Sequence, residues 1–535
     1  MTRPVKAGMS GTTTTNLPAL RSARQRPSFS GTWRTTTAKS PLRPGVLVLT
    51  NLSRSWEPSP PSPTWMKGSA VSDSVSTTTD QDEALYRPIE HAGPSFYITA
   101  VSFFAILVAG LYLFFRQYQL GLGVTGMNQP VTWGFYIINF VFFIGISHAG
   151  TLISAILRLT HAEWRRPITR MAEVITAIVL IIGGLHPIID LGRPDRMLNI
   201  FKWGRLQSPL LWDVMCITAY FAASTVYLYL PLIPDIAKLR DRGTRPRWLY
   251  KFLSWNWQGT PEQKRVHHKA MNLLMILVIP VAVSVHTVIS YIFAMTLQAG
   301  WHSTIFCPYF VAGAIFSGIA CLMITMIVFR KVYRLERYLK KVHFANLAKL
   351  LLVMALLWFY LTFSEYLTGF FGQEPAELGV MMFKFTGPYA FPFWLMVFLN
   401  FVLPVALLSR ERTRTIPVIL IVSIGIVIGM WLERLIIVVP SLSVPYVDFP
   451  LQPYWPTFTE IGLMAAALSA FCLGFMIFSR FFPLISIWEI QEGRDLGIKE
   501  TTDRVASYLP DEITSGPAPV SGMSAAQANV PEGGH

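Results

Sequence analysis

The strongest constraint on this chain is a series of ten apolar runs, near residues 95–115, 133–158, 168–190, 210–231, 268–297, 305–330, 344–371, 388–409, 415–439 and 458–479. Each is long enough to cross a hydrocarbon core, which takes about 20 helical residues. Lipid offers no partner to a bare peptide group, so a crossing segment must be continuous helix or part of a closed barrel. No run alternates apolar and polar residues with period two, which excludes the barrel. The expected fold class is an all-α integral membrane protein of about ten transmembrane helices. Only 14% of the residues are charged, against about 25% in soluble domains.

Lysine and arginine set the expected orientation. With the N-terminus cytoplasmic, the inner connections (158–170, 232–269, 330–343 and 409–415) hold 22 basic residues. The outer ones hold six: Arg116, Arg193, Arg196, Lys202, Arg205 and Lys384. The reading is a multi-pass protein of a bacterial plasma membrane with both termini cytoplasmic. The net charge of +15 does not point to nucleic acid, because the bases lie between apolar runs rather than on one domain. The segment 232–269, with Trp248, Trp255 and Trp257 among its bases, reads as an amphipathic element on the inner surface.

Residues 1–80 are rich in Ser, Thr, Pro and Arg and read as a disordered extension. They resemble a transit peptide in composition, or mark a start assigned too early, with Met66 opening a more ordinary N-terminus. Residues 85–490 form the transmembrane domain and 491–535 a cytoplasmic polar tail, disordered after about Asp503. Pro440–Trp455 suggests an ordered outer cap. Cys216, Cys307, Cys321 and Cys472 make no CxxC pair, so no iron–sulfur, zinc or c-type haem site is built on cysteine here. Gly121–Gly126 matches GxGxxG, but it follows a membrane helix rather than a strand and reads as a loop.

Chemistry concentrates in Gly183-Gly-Leu-His-Pro-Ile-Ile-Asp-Leu-Gly-Arg-Pro-Asp-Arg196, followed by Lys202, Arg205, Ser208, Trp212 and Asp213. Ionisable groups at membrane depth are costly and mark functional sites by default. His186 lies one turn inside the outer end of the third run, and Asp213 one turn inside the outer start of the fourth. A quinol loses two protons with its two electrons and needs an acceptor for each hydroxyl. A neutral imidazole supported by a carboxylate is a suitable general base. His186, Asp213 and Asp190 are the candidate catalytic groups, and Arg193, Trp212, Ser208 and Arg196 the candidate quinol-binding ones. The structural alternative makes His186 the cap of a kink at Pro187, Asp213 or Ser208 a helix cap, and Asp190, Arg193, Asp195 and Arg196 a local ion-pair network.

His148, within Gly145-Ile-Ser-His-Ala-Gly150, falls near the middle of the second run, where small residues let helices approach closely. It reads either as a packing histidine or as a proton-relay member with Glu173. His286, Glu365 and Glu433 are further relay candidates, although Glu433 could simply pair with Arg434.

Asp190-Leu-Gly-Arg-Pro194 after a membrane helix, with Gly145–Gly150 before it, resembles the NrfD/polysulfide-reductase membrane-subunit family over roughly residues 85–490. The ten helices, Ser284-Val-His-Thr287 and Gly300-Trp-His-Ser-Thr304 look most like ActC, the quinol-binding membrane subunit of bacterial alternative complex III. The resemblance implies two four-helix bundles, helices two to five and six to nine, plus flanking helices. It implies a cofactor-free subunit of a quinol oxidoreductase, with menaquinol as substrate and no metal or haem on this chain. It also implies an iron–sulfur partner over the outer face, haem c subunits and a second NrfD-like subunit, with proton translocation left open.

Two other readings compete. One keeps the family and makes the chain the membrane anchor of a polysulfide or other molybdenum-type reductase. The other is a secondary transporter, whose signature would be matching broken helices in two halves. Pro280 is expected to break one helix, and no matching break is evident.

Overall fold

The computed structural model describes residues 83–160, 162–446 and 453–508. The expected extension at 1–80 and the tail beyond 508 lie outside the described residues. Among the described residues, ten helices are long and apolar enough to cross a membrane: α1 Pro94–Leu120, α2 Phe135–Leu159, α3 Thr169–Asp190, α4 Pro209–Asp241, α5 Pro261–Ala294, α6 Phe306–Val332, α7 Lys341–Gly372, α8 Ala390–Leu408, α9 Ile416–Ser443 and α10 Phe458–Phe481. The chain is a multi-pass all-α membrane protein. Starts are written locally: proline opens α1, α4 and α5, where its missing N–H costs nothing. Capping boxes at Thr260–Gln263 and Thr457–Glu460 open α5 and α10.

Helices α2–α5 pack as one bundle and α6–α9 as a second, joined through α6 against α2 and α5. The two central helices are enclosed, with 88% of the α2 span and 78% of the α6 span buried in protein, whereas α1 is 11% buried and packs against α10. Small residues make the central contacts possible. A Cβ on Gly150 would lie 1.9 Å from the Ala172 carbonyl oxygen and the Thr176 hydroxyl, so α2 can approach α3 this closely only with glycine there.

Three expectations change. Pro280 does not break α5, which runs from Pro261 to Ala294; neighbouring helices and adjusted backbone tolerate a membrane proline. The 232–269 segment is largely helix extension. At 33 and 34 residues, α4 and α5 are about 50 Å long at 1.5 Å per residue, well beyond a core of about 30 Å. Only Arg247–Leu253 forms a separate surface helix, with Trp248 and Phe252 exposed.

The third concerns the end of the chain. Helix α11, Ile487–Tyr508, continues past the expected limit of order at Asp503. Its first turn is buried against the ends of α2, α3 and α4. Glu489 pairs with Arg158 and Arg165, both at 2.9 Å, and the Asp235 carboxylate accepts from the Ile487 and Trp488 amides while pairing with Arg170 at 3.1 Å. Burial alone would raise the Glu489 carboxyl, but the charges of Arg158, Arg165 and Arg170 outweigh it and hold it below its ordinary value.

At the opposite ends of the spans, Tyr454 is buried and ties the α9–α10 connection to the core. It accepts from the Phe135 amide (2.9 Å), donates to Glu460 (2.5 Å), and its carbonyl receives the Tyr389 hydroxyl (3.0 Å). Beside it, Tyr136 donates to Gln117, whose amide donates to the Ile189 carbonyl at 3.1 Å.

Candidate functional site

Polar side chains interrupt the apolar interior in two places. The first is where α3 ends and α4 begins. His186 lies four residues before the end of α3 and is 2% exposed. Its Nδ1 donates to the Ile182 carbonyl one turn back at 2.8 Å, and its ring packs on Phe143 with 5.4 Å between centroids. Helix α3 continues through Pro187 to Asp190, so His186 is part of the helix and caps nothing. With the proton on Nδ1, the neutral ring keeps Nε2 as an acceptor.

Asp213 lies in the second turn of the adjacent α4 and is 4% exposed, and among the described residues neither its Oδ1 nor that of Asp190 has a hydrogen-bond partner. No hydrogen bond or ion pair joins His186 to Asp213 among the described residues. An unpartnered buried carboxylate oxygen costs free energy until a donor arrives. The Asp213 oxygen and the His186 lone pair lie near the ends of helices packed side by side, and each is able to receive a hydroxyl proton; no contact joins Asp190 to either among the described residues.

The remaining predicted residues divide. Ser208 is the N-cap residue of α4, but its side chain makes no capping bond. Trp212 donates its indole N–H to the Leu206 carbonyl, which closes the loop onto the helix. Arg193 pairs with Asp195 at 3.1 Å on the surface, and Arg196 is exposed. The structure thus contains the Arg193–Asp195 part of the local ion-pair alternative. The loop also exposes Lys202 and Arg205 beside Trp203 (81% exposed) and Leu206 (74%). That is an apolar and basic surface on the connection between α3 and α4.

The second place is a column down the middle of α2. His148 is fully buried, with Nδ1 2.9 Å from the Ile144 carbonyl and Nε2 2.7 Å from that of Ala282 on α5. A neutral imidazole has one N–H, so only the protonated ring can serve both carbonyls. His286 lies 4.3 Å away between ring centroids, and neither of its ring nitrogens has a hydrogen-bond partner. The expected partner Glu173 is not at His148. It accepts from Ser154 at 2.8 Å and lies 3.5 Å from Arg158. Between them, Ser154 meets Tyr227 (3.1 Å), and Thr151 meets Tyr220, whose hydroxyl donates to the Ser147 carbonyl at 3.2 Å.

The π-helical turn at Ala149–Ile153 shifts the register within this stripe; such turns recur at functional sites. Tyr220, Tyr227, Thr151, Ser154 and Arg158 do not stand out in the sequence. Polar residues spaced by three or four on an otherwise apolar run are the available signal.

Glu433 and Arg434 extend the polar interior into the second bundle. Arg434 pairs with Glu433 at 3.1 Å and lies over the Phe310 ring at 4.6 Å, and Trp358 donates to Glu433 at 2.5 Å. A Cβ on Gly313 would come within 2.9 Å of Arg434 Nη2, so this glycine leaves the guanidinium its space. Phe310 also neighbours His286, 6.0 Å between centroids. Glu365, the last relay candidate, sits apart near the end of α7 and accepts from the Ser303 hydroxyl.

A family model described as polysulphide reductase, NrfD, matches residues 123–445. Three relatives are similar to this chain. A protein provisionally named as a membrane subunit of dimethyl sulfoxide reductase, from Halobacterium salinarum, is 31% identical over 42% of this chain and 49% of its own length. A selenate reductase subunit from Mesobacillus selenatarsenatis is 23% identical, over 66% of this chain and 83% of its own. An Hdr-like menaquinol oxidoreductase integral membrane subunit from Archaeoglobus fulgidus is 22% identical, over 74% and 96%. The match thus spans about half the length of the first relative and most of the other two.

Proposed function

The chain belongs to the polysulphide reductase NrfD family, and from that premise we propose that it is the quinol-handling membrane subunit of a redox complex. Menaquinol binds where α3 meets α4, with one hydroxyl donating to Nε2 of His186 and the other to Oδ1 of Asp213. As two electrons leave for an iron–sulfur partner, the two bases take the two protons. Asp190 stands one turn beyond His186 as the next acceptor. The partner docks on the exposed loop 191–208, where Trp203 and Leu206 supply apolar contact and Lys202 and Arg205 the charge. The excess of positive charge on the opposite connections supports a reading in which this face lies outside a bacterial plasma membrane, with both termini inside.

One observation carries the reading. His186 has its tautomer fixed by Ile182, with its lone pair free, on a helix adjacent to the one bearing a buried, unpartnered Asp213. The names of the relatives support it, since all three are subunits of redox enzymes and one is a menaquinol oxidoreductase. Within the family we assign the chain to alternative complex III, with haem c subunits and a second NrfD-like subunit as further partners. The column through His148, Glu173, His286 and Glu433 serves proton movement across the membrane; Glu365, also a relay candidate, sits apart from it near the end of α7. A second reading, favoured by the two reductase names, makes the chain the anchor of a molybdenum-type reductase. Co-purification of c-type haem, or of a molybdenum cofactor, decides between them.

The site itself is tested by His186→Ala and Asp213→Asn. Each should lower menaquinol oxidation by about 10²-fold or more, the scale of a lost general base, while partner subunits still co-purify. Near-wild-type turnover in both variants would remove the pair from the mechanism.

A further inference from the structure

The second bundle holds a cavity that shares no residue with the α3–α4 site. It measures about 290 Å³ and lies among the end of α7, the start of α6, the loop at Gly300–Thr304 and the short helix Pro375–Phe385, on the same side of the membrane as His186. Its walls set several polar side chains among apolar ones. Thr362, Glu365 and Tyr366 come from α7, Glu377 and Lys384 from the short helix, and His302 and Ser303 from the loop. In the sequence Lys384 reads as an exposed base of an outer connection. It is instead 5% exposed and lines the cavity. Its ammonium has no hydrogen-bond or ion-pair partner among the described residues, and its nearest aromatic contact is the Tyr366 ring at 5.7 Å. Burial lowers it to about 8, with the charge of Glu365 pulling the other way. His302 lies 3.3 Å from Glu377 at the rim.

A second space of about 1000 Å³ adjoins the first and shares His302, Ser303 and Thr304 with it. It runs between α5 and α7 across α6, lined by Val283, Tyr291, Met295, Val311, Leu357 and Leu361 among others. Val283, Tyr291, Met295 and Leu357 are each more than a third exposed, as residues facing lipid tails are. A polar chamber opening into an apolar groove on the lipid-facing surface fits a molecule with a compact polar head and a long hydrocarbon tail.

The head chemistry narrows the class. The chamber offers a donor in Lys384, acceptors in Glu365 and Glu377, and hydroxyls that do both. One lysine against two carboxylates leaves the lining formally negative, which disfavours a phosphate headgroup. A neutral ring bearing oxygens at both ends, able to accept from an ammonium and donate to a carboxylate, fits it. The chamber stands at the lower end of small-molecule pockets, which run from about 300 Å³.

We propose that this chamber and groove form a second quinone/quinol-binding site, with the head against Lys384 and Glu365 and the isoprenoid tail along α5, α6 and α7. The site rests on the reading that this chain handles quinols, but it uses none of the residues of the α3–α4 site. It requires no electron transfer of its own. It holds a ligand molecule in the second bundle while another is turned over in the first.

The test is photolabelling of the intact complex in nanodiscs with an azidoquinone carrying an isoprenoid tail, followed by peptide mapping. Label is expected in two places, within 183–213 and within 300–309 together with 361–384. Lys384→Met should reduce the second label by about tenfold, the scale of one hydrogen bond to a charged group, and leave the first intact. Leu361→Trp, which fills the groove without touching the chamber's charges, should do the same. Label in 183–213 alone, or second-site label unchanged in both variants, overturns the proposal. So does second-site label that excess phosphatidylglycerol displaces and menaquinone does not. Label confined to the second site upholds it and defeats the α3–α4 reading instead, so the two failures are distinguishable.

Discussion

His148 and His286 face each other with 4.3 Å between ring centroids, yet only His148 has acceptors for its ring nitrogens. Two imidazolium ions at that separation would repel strongly in a low dielectric, which disfavours charging both rings together. The relay reading rests on a proton passing between these two rings.

The first prediction follows from that pair. His148→Leu should abolish quinol-driven acidification or alkalinisation in reconstituted vesicles, read with a pH-sensitive dye, while quinol oxidation continues. The α3–α4 site sits toward the end of its helices, and His148 lies near the middle of α2, so the head group does not touch it. A stable His148→Leu protein with unchanged proton movement leaves the histidine with a packing role.

Orientation is tested by accessibility. Single cysteines replacing Lys202 and Arg334, in a background without the four native cysteines, should react with an impermeant maleimide from outside and inside respectively. The reverse pattern would place the His186 end on the wrong face for an external electron acceptor.

Glu489 yields a pH prediction. Its folded-state carboxyl is held below the ordinary value of 4.5, so its contribution to stability is fully present above that value. It is lost as pH falls through the lower, folded value. Glu489→Gln leaves Arg165 without its buried carboxylate and Arg158 with Glu173 alone, and should cost up to about 3–5 kcal/mol at neutral pH, read as thermal unfolding in nanodiscs. The variant's stability should also fall less than the parent's below about pH 4.5. A parallel loss in both would exclude Glu489 from the acid limb.

Lys384 gives the opposite sign in the binding of ligand. Its ammonium, lowered by burial to about 8, faces Glu365 and Tyr366 of α7, Glu377 of its own helix, Tyr309 of α6 and His302 of the loop. A quinone oxygen accepting from it binds the protonated form. Second-site labelling should therefore be full below pH 8 and fall above it, by up to about tenfold per pH unit. In Lys384→Met the dependence between about pH 7 and 9 should flatten.

The ten spans are legible because lipid demands continuous apolar helix, and a run such as 133–158 can do nothing else. The same patterning marks His186 and Asp213 as costly, and both are buried where helices meet. Other features depend on information a linear reading does not hold. Pro280 looks like a break, yet the packing around α5 absorbs it. Lys384 looks like a solvated loop base, yet the short helix Pro375–Phe385 turns it inward. Depth alone matches Glu173 to His148. Helical phase assigns it to Ser154 and Arg158, one to three turns further along α2. The polar composition of helix α11 suggests an end by Asp503; its anchorage comes from Arg158, Arg165 and Asp235, far away in sequence.

That anchorage bears on how the protein is made. Arg158 and Glu489 are 331 positions apart, so while the early spans are made Arg158 has only Glu173, at 3.5 Å, and not yet the closer Glu489. Arg170 and Asp235 can meet as soon as α4 is in place, but the Ile487 and Trp488 amides that complete the Asp235 carboxylate come from beyond α10. The contacts that finish the α2–α4 ends therefore form only after the last described span has been made.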